Sequence, residues 1–210
     1  MRYRITFAKT AAMRYTSHLD LHKAWERTIR RAALPLAYTQ GFSPHPKINL
    51  ASALPLGFTG DHEVIDIWLD GDLDPDAVEQ ALKAASPPGI LVSSVARVDD
   101  RLPALQSQLL ASDYTITFLS PIPNLDEKVQ SLLSATNLPR ERRGKPYDLR
   151  PLLLDLHPLP DDEQGCQRLA ARLRAQEGAT GRPEEIVAAL GASPEQTRIH
   201  RTALVFSTPS

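Results

Sequence analysis

Residues 2–34 read RYRITFAKTAAMRYTSHLDLHKAWERTIRRAAL, and the fold assignment depends on the change of hydrophobic period within this stretch. In its first part apolar residues, Tyr3, Ile5 and Phe7, alternate with polar ones. This alternation is the period of a half-buried strand. Its second part repeats apolar residues at spacings near 3.6, as an amphipathic helix does, at Leu21, Trp25, Ile29 and Ala32. The stretch therefore predicts a strand over Arg2–Lys9 and a helix over Ser17–Leu34, which Ser17 and Asp20 begin as a capping box.

Strand and helix patterns continue from this stretch to residue 98. Pro35 is expected to end the first helix, because proline disrupts helical hydrogen bonding. Strands are then predicted over Lys47–Ala53, Val64–Leu69 and Ile90–Val98, with a second helix over Asp74–Ala85. The resulting order, βαββαβ, predicts a ferredoxin-like unit with an antiparallel sheet.

The same order is predicted a second time in the rest of the chain. Its elements are a strand at 114–119, a helix at 125–135, strands near 147–156 and 166–174, a helix at 183–190 and a strand at 198–206. Pro103 and two glutamines interrupt the core pattern between the two repeats, which places their boundary near residue 107. We therefore predict an α+β fold of two tandem ferredoxin-like units, residues 1–107 and 108–210.

The composition, 42% hydrophobic and 23% charged over 210 residues, is typical of a soluble globular protein. No apolar run approaches the about 18 residues needed to span a bilayer, and the N-terminal residues lack the features of an export signal. We expect a cytoplasmic protein with no membrane role. Charge is uneven, because residues 1–50 hold nine Lys or Arg against two acids and residues 51–100 hold two against ten. This asymmetry fits either a basic face that attracts phosphates or a mixed solvated surface.

The chain offers few groups for metal or redox chemistry. Cys166 is its single cysteine, which excludes an internal disulfide and any cluster that needs several thiolates of this chain. His18 and His22 stand four residues apart, as two zinc ligands on a helix can, but no third ligand accompanies them at a typical spacing. We therefore predict no metal and no cofactor.

A cationic ridge is predicted on the first helix, where Arg27, Arg30 and Arg31 lie with Lys23 beside or opposite the apolar stripe. Such a ridge can bind nucleic-acid phosphates in a salt-dependent way. The alternative is a solvated helix face, on which Glu26 and Arg30 form an ion pair one turn apart.

The loop at residues 38–47, YTQGFSPHPK, is the second candidate for nucleic-acid binding. Its prolines stiffen the backbone on both sides of a histidine, and Gly41 permits a sharp turn. Tyr38 and Phe42 could stack on bases, Gln40 could bond base edges, and His45 and Lys47 could meet phosphate or move a proton. In the alternative, the loop is structural and both aromatic rings lie in the core.

Further basic residues in the second half could extend a phosphate track. The candidates are Arg143, Lys145, Arg150, Arg182 and Arg201. Arg182 precedes a helix that follows two glycines, and free backbone N–H groups at a helix start can bind an anion. Glu184 and Glu185 in the first turn compete with that role.

Four segments of the chain, YTSHLDL, RRAALPLAYTQGFSPHPKINLASALPLG, DLRPLL and RIHRTAL, resemble a bacterial family of radical-SAM-linked proteins, a domain of unknown function. The first two segments are specific and the later ones shorter, although His22 stands where the family usually has an apolar residue. The resemblance implies a partner radical-SAM protein, fused or encoded nearby. That partner would carry the iron–sulfur cluster, because a radical-SAM cluster needs three closely spaced cysteines and this chain has one.

Three hypotheses of function follow from these observations. The leading one is a non-catalytic accessory protein that binds RNA and presents it to the radical-SAM enzyme for modification. The second is a metal-independent endoribonuclease, in which His45 or His18 moves protons and Lys47 or Arg31 stabilises the pentavalent phosphate. The third is a protein-interaction scaffold that binds no nucleic acid.

Overall fold

A computed structural model describes residues 1–142 and 144–207 of the chain. Its contacts divide the chain into two units, Met1–Gln108 and Leu109–Ser210. Both units combine helices with antiparallel strands, so the fold is mixed α/β with antiparallel sheets. None of the helices in the described residues has the length and the apolar character needed to cross a membrane.

The first unit is built on strand β1, whose alternating residues Tyr3, Ile5 and Phe7 are fully buried. Its sheet has the order β4-β1-β3-β2, with every neighbouring pair antiparallel. The elements are β1 (Arg2–Lys9), α1 (His18–Arg31), β2 (Ile48–Leu50), β3 (Thr59–Trp68), α2 (Pro75–Ala85), β4 (Ile90–Val98) and the short α3 (Leu105–Gln108).

Helix α1 packs its apolar stripe against this sheet. Leu21, Trp25 and Ile29 are buried, and the Trp25 ring meets Phe7 of β1 edge-on, with ring centroids 4.8 Å apart. Ser17 caps the helix as predicted, because the amide of Asp20 donates to its Oγ over 3.2 Å. The Asp20 carboxylate accepts from the Ser17 hydroxyl over 2.7 Å, so the pair differs from a full capping box, in which it would accept from the Ser17 amide.

The predicted end of α1 at Leu34 is wrong. The helix ends at Arg31, three residues earlier, in a Schellman motif. The amide of Ala33 donates to the carbonyl of Arg30 over 3.0 Å, and the amide of Leu34 donates to the carbonyl of Ile29 over 3.2 Å. Ala33 adopts a left-handed conformation with φ of 54°. The helix therefore ends through these hydrogen bonds and not through Pro35.

A buried ion-pair network ties β1 to β3. Arg2 and Asp66 are both buried, and the Nε of Arg2 donates to Oδ2 of Asp66 over 2.7 Å. Arg4 donates to Oδ1 of the same carboxylate over 2.9 Å. Arg2 also donates to the carbonyls of Leu102 and Pro103, so one side chain joins the sheet to the segment that follows β4.

The second unit repeats the strand order of the first. Strand β5 lies between β11 and β9, and β8 pairs with β9 on its far side, all antiparallel. The elements are β5 (Leu109–Phe118), α4 (Leu125–Ser134), β6 (Pro139–Arg142), β7 (Lys145–Asp148), β8 (Leu153–Leu159), β9 (Arg168–Gln176), β10 (Ala179–Thr180), α5 (Pro183–Ala189) and β11 (Thr197–Phe206).

The single strand predicted near residues 147–156 is wrong. Its first part belongs to β7, which pairs with β6 in a separate hairpin, and its last part begins β8. A short 3-10 turn at Arg150–Leu152 separates the two strands. Asp148 sets up this turn, because its Oδ1 accepts from the amides of Leu138 at 2.7 Å and Arg150 at 2.9 Å.

Candidate nucleic-acid interface

The exposed face of α1 carries the cationic ridge, which we define as Lys23, Arg27, Arg30 and Arg31. All four side chains are exposed, while the opposite face of the helix is buried in the core. Residues three to four apart lie one turn from each other on a helix, so the four charges run along one side of α1. Such a row of cations is matched to a run of phosphates.

Arg30 connects the ridge to the loop at residues 38–47. Its Nη2 donates to the hydroxyl of Tyr38 over 2.9 Å and pairs with Oε1 of Glu26 at 2.7 Å. The hydrogen bond with Tyr38, and to a smaller extent the charge of Glu26, raises the pKa of Arg30 above its usual value. The predicted Glu26 pair is therefore confirmed, but the Arg30 side chain remains 59% exposed.

The loop is held at its base by backbone pairing between its two arms. Tyr38 and Pro46 form an antiparallel bridge, and the amide of Thr39 donates to the carbonyl of His45 over 2.8 Å. The amide of His45 donates in turn to Oγ1 of Thr39 over 2.9 Å. The two arms thus form a closed, hydrogen-bonded loop.

The loop base is also bonded to the sheet. The amide of Ala37 donates to the carbonyl of Trp68 over 2.8 Å, and the amide of Trp68 donates to the carbonyl of Lys47 over 3.1 Å. Trp68 is the last residue of β3, so both arms of the loop begin from a rigid strand end. This attachment fixes where the loop tip projects.

The loop tip is open to solvent. The Phe42 side chain is 106% exposed and Tyr38 is 36% exposed, so the alternative that places both rings in the core is wrong. Gln40, His45 and Lys47 are exposed as well. Gly41 has φ of 132°, a conformation that glycine adopts at little cost, and it turns the chain just before Phe42.

His18, the second candidate acid–base residue, is the first residue of α1. It lies about 18 Å along the helix axis from Arg30, which holds the base of the loop. His18 and the loop base are therefore at opposite ends of α1. Among residues 1–142 and 144–207, no group of three or more His, Cys, Asp or Glu is arranged to hold a metal ion.

The candidates of the second unit fall into different environments. Lys145 is exposed on β7, and Arg182 is exposed as the residue before α5. Helix α5 has only seven residues, with Glu184 and Glu185 in its first turn, so we omit Arg182 from the interface. Arg143 lies outside the described residues.

Arg150 and Arg201 do not fit a phosphate track. Arg150 donates to the carbonyls of Leu153 and Leu133, both over 3.0 Å, so its guanidinium serves the local fold. Arg201 is 1% exposed, because it lies two residues from Ile199 on the buried face of β11. A polyanion in solvent does not reach a guanidinium that is buried in this way.

Comparison with known protein families finds one match. A family model described as an uncharacterized protein conserved in bacteria, DUF2344, matches residues 2–183. No curated protein matches the sequence.

One solved structure is similar in fold at low sequence identity, and two others align with lower scores. One chain of the crystal structure of a Cbf5-Nop10-Gar1 complex aligns with a TM-score of 0.51 at 11% identity, covering 96% of this chain and 48% of that chain. A chain of an H/ACA RNP bound to a substrate RNA aligns with a TM-score of 0.43 at 11% identity, covering 88% and 43%. An unknown protein from Galdieria sulphuraria aligns with a TM-score of 0.28 at 15% identity, covering 97% of this chain and 98% of that chain. The chain thus spans about half the length of the first two chains, and the first likeness is one of fold alone.

Proposed function

The chain belongs to DUF2344, an uncharacterized protein family conserved in bacteria, and from the surface of its first unit we propose that it binds single-stranded RNA as a non-catalytic accessory protein. The observation that carries this proposal is the contact between Arg30 and Tyr38. It joins a row of exposed cations to a loop with exposed aromatic rings. Those are the two components from which proteins build single-strand binding surfaces.

The ridge would hold the RNA backbone. Arg27 and Arg31 are exposed, and in this proposal each neutralises one phosphate. Each such contact releases condensed counterions, so affinity falls as salt rises. Arg30 contributes charge as well, although part of its hydrogen-bonding capacity is taken by Tyr38 and Glu26.

The loop at residues 38–47 would bind an unpaired base. Phe42 projects from a loop whose base is bonded to β3, so little chain order has to be gained on binding. Stacking of a base on such a ring contributes about 1–3 kcal/mol. Gln40 has the donor and acceptor needed to bond the edge of that base.

The enzyme that this protein assists is, in the proposal, a radical-SAM enzyme of the cytoplasm. Support comes from the resemblance of residues 15–21 and 30–57 to radical-SAM-linked proteins, and from the cysteine content. One cysteine cannot hold an iron–sulfur cluster, so the radical chemistry would belong to the partner.

We also infer that each unit is ferredoxin-like, with a domain boundary near residue 107. The orders β4-β1-β3-β2 and β11-β5-β9-β8, both fully antiparallel, support this inference. In the second unit the β6–β7 hairpin is then an insertion between α4 and β8.

Incubation of the chain with end-labelled single-stranded RNA in the presence of a chelator tests the proposed function. Binding detected by anisotropy, with the RNA intact on a denaturing gel, is the expected result. Cleavage that His45→Ala abolishes would instead support an endoribonuclease. Absence of any binding, with capture of a radical-SAM protein from cells, would support a scaffold that binds no nucleic acid.

A further inference from the structure

A groove in the second unit lies outside the surface described above. It runs between β7, the 3-10 turn that ends at Leu152, and the turn that joins β9 to β10. Its volume is 370 Å³, near the lower end of the about 300–1,000 Å³ of small-ligand sites. It is lined by Arg142, Lys145, Pro146, Tyr147, Leu152, Gly178 and Thr180.

The inner wall of the groove is apolar and tightly fixed. A Cβ atom added to Gly181 would come within 3.2 Å of the Leu152 carbonyl and of Leu173, so the backbone that follows β10 packs directly on Leu152. Gly178, at a turn with φ of 76°, lines the groove without a side chain. The Leu152 side chain and the backbone at Gly178 therefore form this wall.

Tyr147 supplies a half-buried aromatic surface to the groove. Burial raises the pKa of its phenol, and the charge of Glu185 together with a hydrogen bond to it acts in the same direction. Glu185 of α5 is therefore close to the phenol, while the Tyr147 side chain lines the groove. A half-buried ring has less side-chain freedom to lose than an exposed one when it stacks on a planar ligand.

The rim of the groove is cationic. Arg142 and Lys145 are direct partners across the β6–β7 hairpin, and both are exposed. Among the described residues that line the groove none is acidic, so no carboxylate of the lining neutralises them. The pair would attract an anion to the mouth, and Arg142 has the planar fork that matches phosphate oxygens.

We propose that this groove binds one nucleoside phosphate, with the base against Tyr147 and Leu152 and the phosphate between Arg142 and Lys145. The nucleotide would be an unpaired residue of an RNA strand, and this part of the proposal rests on the proposed function. The binding of a nucleoside phosphate in the groove does not depend on it. It would form a second contact point for RNA, separate from the loop at residues 38–47.

Titration of the full ¹⁵N-labelled chain with uridine and adenosine 5′-monophosphates, and separately with inorganic phosphate, tests the proposal by NMR. We expect amide shifts at Lys145, Tyr147 and Gly178 with the nucleotides. Arg142→Ala/Lys145→Ala is expected to weaken nucleotide binding at least tenfold, because it removes both cations that would form charge-assisted hydrogen bonds with the phosphate. The control, Arg101→Ala/Arg198→Ala, removes two exposed charges elsewhere and is expected to change affinity less than twofold.

Two substitutions at Tyr147 test the aromatic contact. Tyr147→Phe keeps the ring and is expected to bind nucleotide, whereas Tyr147→Ala is expected to lose binding. Any of three results would overturn the proposal. They are equal affinity for phosphate and nucleotide, amide shifts away from the groove, and an equal loss of affinity in the Arg142→Ala/Lys145→Ala and Arg101→Ala/Arg198→Ala variants. Nucleotide binding in a chain that binds no RNA would preserve the groove and reject the proposed function. RNA binding that depends on Arg27 and Arg31, with no nucleotide bound in the groove, would support the proposed function and reject the groove as a nucleotide site.

Discussion

Arg2 and Asp66 form an ion pair in the interior of the first unit, with 2.7 Å between Nε and Oδ2 and almost no exposure of either side chain. The carboxylate also accepts from Arg4, so two cations depend on one anion. Arg2 in turn lies over the ring of Trp68, 5.2 Å from its centroid. The pair therefore connects the core to the strand end that carries the loop at residues 38–47.

Asp66→Ala is expected to destabilise the protein by about 3–5 kcal/mol, because it leaves two guanidinium groups without their buried partner. Urea unfolding followed by circular dichroism measures this loss. Asp72→Asn is the control, since it breaks the exposed pair with Arg97 and is expected to cost about 0–1 kcal/mol. Similar losses in both variants would mean that the buried network contributes no more than a surface pair.

Arg27→Ala/Arg31→Ala is expected to lower RNA affinity about tenfold or more at low salt and to reduce the slope of log affinity against log salt by roughly 1.4, since single strands give about 0.7 per phosphate contact. Anisotropy over a salt series gives both quantities. Arg101→Ala/Arg198→Ala provides a control with the same loss of charge. An unchanged slope would remove these arginines from the interface.

Phe42→Ala is expected to weaken RNA binding by about 1–3 kcal/mol, the contribution of one stacked base, without changing stability. The ring is fully exposed, so its removal takes no contact from the core. Phe42→Trp keeps a stacking surface and is expected to bind RNA as the unmodified chain does. If alanine and tryptophan variants bind RNA equally, the loop does not stack on a base.

Ala33→Gly is expected to raise the free energy of unfolding by about 0.5–1 kcal/mol, because residue 33 has a positive φ that alanine adopts only with strain. Thermal or urea unfolding measures the gain. Ala77→Gly serves as a control of opposite sign, since Ala77 is exposed in the first turn of α2 and glycine lowers helix stability there by up to about 1 kcal/mol. A loss of stability at residue 33 would contradict the Schellman geometry.

The turn after β7 is expected to weaken in acid. Hydrogen bonds from the amides of Leu138 and Arg150 lower the pKa of Asp148 below its ordinary value of 3.8. A carboxyl group whose pKa is lowered by folding contributes stability above pH 3.8, and that contribution is lost as pH falls through the folded value. NMR titration of Asp148 should give a midpoint below 3.8, and Asp148→Asn should remove this part of the acid dependence. A midpoint at or above 3.8 would contradict the two hydrogen bonds.

Hydrophobic period gave the limits of some elements with a buried face and not of others, since α1 ends before the predicted Leu34 and β3 begins at Thr59, before the predicted Val64. Strands β1 and β4 begin and end at the predicted residues, although the alternation of β4 is interrupted where its register with β1 shifts. The β6–β7 hairpin was missed, since its strands, PRER and KPYD, are short and carry no apolar alternation. Its signal was the glycine between two basic segments, which is typical of a hairpin turn.

The candidate site was less predictable because its loop has no period. Whether Phe42 lies in the core or in solvent depends on where β3 holds the two loop arms, and that pairing is not encoded within residues 38–47. For Arg201 the information was present, since it falls two residues after Ile199 and so on the same face of β11. The charge of Arg201 favours an exposed side chain, whereas the two-residue period of the strand puts that side chain on the buried face.

The short strand β2 has a consequence for pairing at its own edge of the sheet. It spans only three residues, Pro46 before it has no amide to donate, and the Leu50 carbonyl at its end already accepts from Gln106 of α3 over 2.7 Å. An exposed strand edge with a long row of unpaired backbone groups templates pairing with other molecules and so promotes aggregation. Here that edge offers too few free groups for a second chain to extend the sheet.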